Sequence, residues 1–108
     1  MPIPEDKIEL TAEPIPIMRI MRRGKFYSFS ELYKITFRKK ILEDVRECIR
    51  EKRLWRWFIR KSQLQTTLDL LVISGKLRIG KKANETPRTI TVEGEKITLD
   101  PELYYSLS

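Results

Sequence analysis

The stretch from Ser62 to Val92 most narrows what this chain can fold into, because it reads as a helix, a stop and a basic hairpin in succession. At about 100° per residue, Leu64, Leu68, Leu71 and Val72 fall in one arc, which predicts an amphipathic helix over Ser62 to Ser74. Gln63, Thr66, Thr67 and Ser74 lie opposite, as side chains able to hydrogen-bond base edges, and Arg60 and Lys61 sit just ahead of the helix. Gly75 suits the position past a helix C-terminus. Leu77 and Ile79 then alternate with Arg78, Gly80 to Arg88 reads as a hairpin loop, and Thr89 to Val92 returns with Ile90 and Val92 inward. Lys76, Arg78, Lys81, Lys82 and Arg88 on that hairpin suit phosphate contacts. Glu93-Gly94 turns the chain again, and Ile97 and Leu99 predict a third short strand.

Composition restricts the chemistry. The chain has 108 residues, enough for one domain with a modest core. It contains no His and one Cys, so His-based triads, His general bases and His/Cys metal sites are excluded, as is an intramolecular disulfide. There is no Gly-rich phosphate loop and no nucleophile motif, so no enzyme and no cofactor are expected. No apolar run approaches the roughly 18 residues of a membrane span, and the acidic start lacks the pattern of a signal peptide, so a cytoplasmic protein without membrane contact is the expectation. One Asn and two Gln against many Arg, Lys and Glu is a thermophile's bias.

The net charge of +7 is segregated. Residues 1–18 carry one Lys and four acids, residues 19–61 fifteen basic and five acidic residues, residues 62–88 five and two, and residues 89–108 one and four. The basic block coincides with the expected helices and hairpin, which favours an anionic partner over a merely solubilising surface.

Residues 1–13 read as an acidic arm with a short strand at Ile8 to Thr11, residues 14–100 as the domain, and residues 101–108 as a tail. Pro14 and Pro16 suit the start of a helix through Ile17, Met18, Ile20 and Met21 that Gly24 ends. Lys25 to Ser28 predicts a short strand. Ser28 and Glu31 have capping-box spacing for a helix to about Ile35 burying Phe29, Leu32 and Tyr33. Thr36 can cap a longer helix from Phe37 to about Arg53, with Lys39, Arg46, Arg50 and Arg53 along one flank and Glu43, Asp44, Glu47 and Glu51 on its back. From Leu54 to Ile59, Trp55, Trp57 and Phe58 interleave with Arg53, Arg56 and Arg60, either as core anchors or as a stacking platform for bases. Leu103, Tyr104, Tyr105 and Leu107 make the tail too apolar for a free linker, so it should pack on the domain or on a second copy.

Leu68, Leu71, Gly75 and Leu77 match a Leu-x-x-Leu-x-x-x-Gly-x-Leu pattern that resembles the end of the recognition helix and the entry to the wing in winged helix-turn-helix proteins. The likeness covers roughly residues 15 to 93 and departs in having four candidate helices where a minimal winged helix has three. It implies an α+β fold: a small winged helix-turn-helix domain of three to four helices followed by a β-hairpin wing. It further implies a double-stranded DNA-binding protein, a transcriptional regulator or chromosome-associated, with a helix in the major groove and a basic wing on the backbone. The residues implicated are Lys39, Arg46, Arg50, Arg53, Arg60, Lys61, Gln63, Thr66, Thr67, Arg78, Lys81, Lys82 and Arg88. The alternatives are a protein-interaction module of a nucleic-acid-processing complex, using Trp55, Trp57, Tyr104 and Tyr105, a homodimer through the tail, or single-strand binding by the aromatic segment.

Overall fold

A computed structural model describes residues 17–82 and 86–108, Lys82 by its backbone alone. The N-terminal arm, the strand expected at Ile8 to Thr11 and loop residue Asn84 lie outside the described residues. The fold is α+β. Helices α1 (Phe29–Phe37), α2 (Ile41–Arg50) and α3 (Leu54–Ile73) are followed by strands β2 (Leu77–Lys82), β3 (Arg88–Val92), β4 (Glu95–Leu99) and β5 (Leu103–Leu107), while β1 (Tyr27–Ser28) precedes the helices. Of the helix expected from Pro14 and Pro16 to Gly24, the described residues form a single 3₁₀ turn at Ile17–Arg19.

The capping box forms: the Glu31 N–H donates to the Ser28 hydroxyl at 3.2 Å, and Glu31 Oε1 accepts from the Ser28 N–H. It launches α1, whose buried residues are the expected Phe29, Leu32 and Tyr33. Thr36 does not start a new helix. α1 runs on to Phe37, where the Tyr33 and Phe37 rings, one turn apart, pack tilted with centroids 4.7 Å apart. A left-handed Arg38 then breaks the chain, α2 begins at Ile41 and ends at Arg50, and Lys52 turns left-handed before α3. The long helix expected from Phe37 to Arg53 is therefore shorter at both ends.

The helix expected over Ser62 to Ser74 begins instead at Leu54. Leu54, Trp57, Leu64 and Leu68 share one helical stripe, so the aromatic segment is the first two turns of α3 and not a separate element. Gly75, at φ +77°, stops it as expected.

The strands pair differently from the expected wing. β2 pairs with β5, and β1 with the other edge of β5, giving an antiparallel sheet of order β1-β5-β2. The supposed tail is thus the central strand, with Tyr105 and Ser106 buried. β3 pairs with β4, placing Ile90 opposite Ile97 and Val92 opposite Glu95. Glu93 (φ +50°) and Gly94 (φ +83°) supply the two left-handed residues of a tight hairpin, so this pairing closes a two-residue loop and outcompetes the longer closure from β2 to β3.

Trp57, Leu64 and Leu68 of α3, Val45 and Cys48 of α2, Leu32 and Tyr33 of α1, and Leu77, Val92, Ile97 and Tyr105 of the strands form one core. Inside it sits Asp44, fully buried. Its carboxylate accepts from the Tyr33 hydroxyl, from Arg60 Nη1 at 2.7 Å and from the Cys48 thiol at 3.5 Å. Three helices thus converge on one carboxylate. Burial, reinforced by Asp44, drives the Tyr33 phenol far above its ordinary value. Burial, again with Asp44, pushes the Cys48 thiol up to about 11. For Arg60 burial works downward, but the adjoining Asp44 outweighs it and leaves the guanidinium raised.

Arg60→Ala strands the Asp44 carboxylate and should cost about 3–5 kcal/mol in urea unfolding at neutral pH. A loss no larger than that of an exposed Arg would show that Arg60 does not hold this cluster. The thiol gives a second expectation. Folded Cys48 keeps its proton above its ordinary value of 9.0, so the folded state binds the proton more tightly than the unfolded chain. The resulting stability is present below about pH 9 and is lost as pH rises toward about 11. Cys48→Ala should flatten the first part of that alkaline decline; an unchanged profile would assign it to other groups.

Candidate nucleic-acid interface

The cations singled out in the sequence do not form one footprint. Arg60 lies in the second turn of α3, not ahead of it, and faces inward to Asp44. Thr67 is 4% exposed and its hydroxyl donates to the Gln63 carbonyl at 2.9 Å, so it cannot reach a base. Gln63 is half-buried, and of the three expected base readers Thr66 alone is exposed. Thr67 and Arg60 adjoin Leu71 and Leu64 on the helical wheel, and the buried arc of α3 extends over them.

The basic flank of α2 is largely matched by acids. Lys39 bridges Glu47 at 2.8 Å, so the two signs expected on opposite sides of the helix meet. Arg50 and Arg46 approach Glu93 in the β3–β4 turn at 3.1 and 3.7 Å. Asp44, expected on the solvent-facing back, is in the core. Arg53 stays exposed at the start of α3.

The expected wing cations are also divided. Arg88 and Lys61 line a groove of about 540 Å³ between the starts of α1 and α2 and the β4–β5 connection, where Trp57, Leu99, Leu103 and Tyr105 supply apolar walls. Lys61 is held there by Asp100 at 2.7 Å. Lys81 lies beside Tyr104 instead, and neighbouring residues of a strand face opposite sides of the sheet. The Lys82 side chain is outside the described residues.

A different cluster assembles where β1, β5 and β2 meet. Ser28 pairs with Tyr104 and Arg78 with Ser106, so Arg78 and Tyr104 share one sheet face. The ladder is irregular between Ile79 and Lys82, at Gly80. The Phe26 ring lies directly on Gly80: a Cβ there would stand 2.7 Å from Phe26 Cε1. Phe26 remains 40% exposed. The Arg78 guanidinium sits 5.4 Å from its centroid, and Lys81 and Tyr104 complete a shallow groove of about 350 Å³. Lys25 covers the adjacent Tyr27 ring at 4.9 Å, and the Arg22 N–H donates to the Tyr27 hydroxyl. Arg78, Lys81, Arg22, Arg23 and Lys25 are exposed.

Of this cluster the sequence reading had Arg78 and Lys81. It missed Phe26 and Gly80, although a glycine inside an otherwise regular strand marks a close approach by another group. Comparison with protein-family models, curated proteins and solved structures gives no match for this chain.

Gly80→Ala should displace the Phe26 ring while leaving the fold intact, because the clash is with a half-exposed side chain that can swing outward. The check is by NMR: the ring-current shift on the residue 80 α-proton should vanish with little change in melting temperature. A retained shift would mean that the ring is not seated on Gly80.

Proposed function

We propose that this chain binds nucleic acid through the β1–β5–β2 sheet face, with Arg78 and Lys81 on phosphates and the Phe26 ring stacked on an exposed base. The observation that carries this reading is Phe26, held open to solvent on Gly80 with Arg78 above it and Lys81 alongside. An exposed aromatic ring among cations suits a protein that meets bases, since every base offers a π-face. Stacking favours strands with unpaired bases. Phosphate contacts supply most of the affinity and make it fall with salt.

A second reading, duplex binding by a winged helix acting as transcriptional regulator or chromosome-associated protein, is favoured by one topological fact. Helices lead into a three-stranded antiparallel sheet of order β1-β5-β2, and the long β2–β5 connection, with its β3–β4 hairpin, stands where a wing would. The reading is weakened at α3, whose exposed side carries Asp69 and no cation suited to a major groove.

Titrating single-stranded and duplex DNA of mixed sequence against salt separates the two. The first reading expects tighter single-strand binding, a loss of about 1–3 kcal/mol for Phe26→Ala, and a salt slope reduced by about two units for Arg78→Ala with Lys81→Ala. Duplex preference insensitive to Phe26→Ala would transfer the assignment to the winged-helix reading, and no binding to either form would end both.

A further inference from the structure

The solvent side of α3 has a pattern that the sheet-face reading leaves unused and that the duplex reading would put in the major groove. Trp55 is 44% exposed, Phe58 48%, Leu70 52% and Ile73 82%. With Ser62, Thr66 and Asp69 they form one face of the 20-residue helix. The pairs Trp55 and Ile73, Phe58 and Leu70, and Ser62 and Thr66 are each equidistant in sequence from position 64. Phe58, Ser62, Thr66 and Leu70 also follow one another at intervals of four, which makes them a single ridge inclined about 26° to the helix axis.

We propose that this face is a homodimer contact, in which α3 crosses the α3 of a second copy about a two-fold axis at the level of position 64. The ridge of each helix lies in the groove of the other at a crossing of about 50°, the commonest packing of helices in globular proteins. The axis brings Phe58 against Leu70 of the second copy, with Trp55 and Ile73 closing the two ends. Ser62 and Thr66, the small residues, occupy the crossing point and let the backbones approach. An isologous contact requires a surface complementary to itself, and a ridge large at both ends and small in the middle has that property.

Charge and area both point to a second copy. A chain of net charge +7 repels its like wherever cations face each other. No Lys or Arg lies on this arc of the helix, the Arg56 guanidinium reaching only its end at 6.0 Å from the Trp55 centroid, and its one acid, Asp69, accepts a hydrogen bond from Gln65 at 2.9 Å. At about 200 Å² for a whole large side chain, the four apolar residues expose roughly 450 Å². Complete burial of those side chains in two copies removes about 900 Å², and Ile59, Ser62 and Thr66 bring the total to the lower bound of a specific interface, ~1,000 Å².

The test is light scattering on the full chain at about 100 µM, combined with charge exchange across the contact. The wild type should run at twice 12.9 kDa. Phe58→Glu and Leu70→Lys, each on the exposed side of the helix and checked for fold by circular dichroism, should each weaken dimerisation about 30-fold or more. Combined in one chain they should restore it, because the axis sets each Glu against a Lys of the other copy. On dilution the tryptophan emission should shift to the red through Trp55 alone, since Trp57 is already buried. A wild type that stays at 12.9 kDa, single variants that dimerise as well as the wild type, or a folded double variant that remains monomeric would overturn the proposal.

Discussion

The Asp44 carboxylate is the point on which the helical half of the molecule depends. Asp44 comes from α2, Tyr33 from α1 and Arg60 from α3, so one buried acid fixes the relative rotation of three helices. An apolar core tolerates some sliding, because one hydrophobic contact substitutes for another. A buried carboxylate does not, because losing either donor leaves a charge or lone pair without water. Cys48 lies one turn along α2 and adds a weak donor to the same oxygen that Arg60 holds. The rotation of α3 set in this way turns Trp57, Leu64 and Leu68 into the core and leaves Trp55, Phe58 and Ile73 outside.

Local signals in the sequence were sufficient where the physics is local. The Ser28–Glu31 capping box, the Gly75 stop, the Glu93-Gly94 turn and the inward face of Leu64 and Leu68 each depend on residues a few positions apart. The pairing of β5 with β1 and β2 was not legible. Tyr27 meets Tyr105 across most of the chain, and nothing in either segment specifies the other beyond being apolar and extended. β2 and β3, adjacent and alternating, invited a hairpin that the shorter β3–β4 closure displaced.

The interface was partly legible for a related reason. Counting Lys and Arg locates a basic region but does not say which cations are already engaged. Lys39, Arg46, Arg50, Arg60 and Lys61 all meet acids: Glu47, Glu93, Asp44 or Asp100. Two of those acids, Glu93 and Asp100, are more than thirty residues from the cations they meet. Asp44 was visible as one acid among several on a helix back, and its burial depends on Tyr33 and Arg60 arriving from elsewhere. Phe26 and Tyr104 gain their meaning only when β1 and β5 pair, which brings together residues from opposite ends of the chain.

The exposed arc of α3 carries one acid and no Lys or Arg, whereas Lys81 lines the Phe26 groove and Arg78 lies over its ring, so the surface proposed for a second copy and the one proposed for a polyanion differ in charge. A two-fold contact through α3 yields a particle with two copies of the Phe26 groove. A second groove on the same strand binds at the effective concentration its tether sets, which strengthens the complex without any new contact. Each groove has few cations and one aromatic ring, too little for tight binding alone, so on the proposed dimer two grooves on one strand would supply what a single groove lacks.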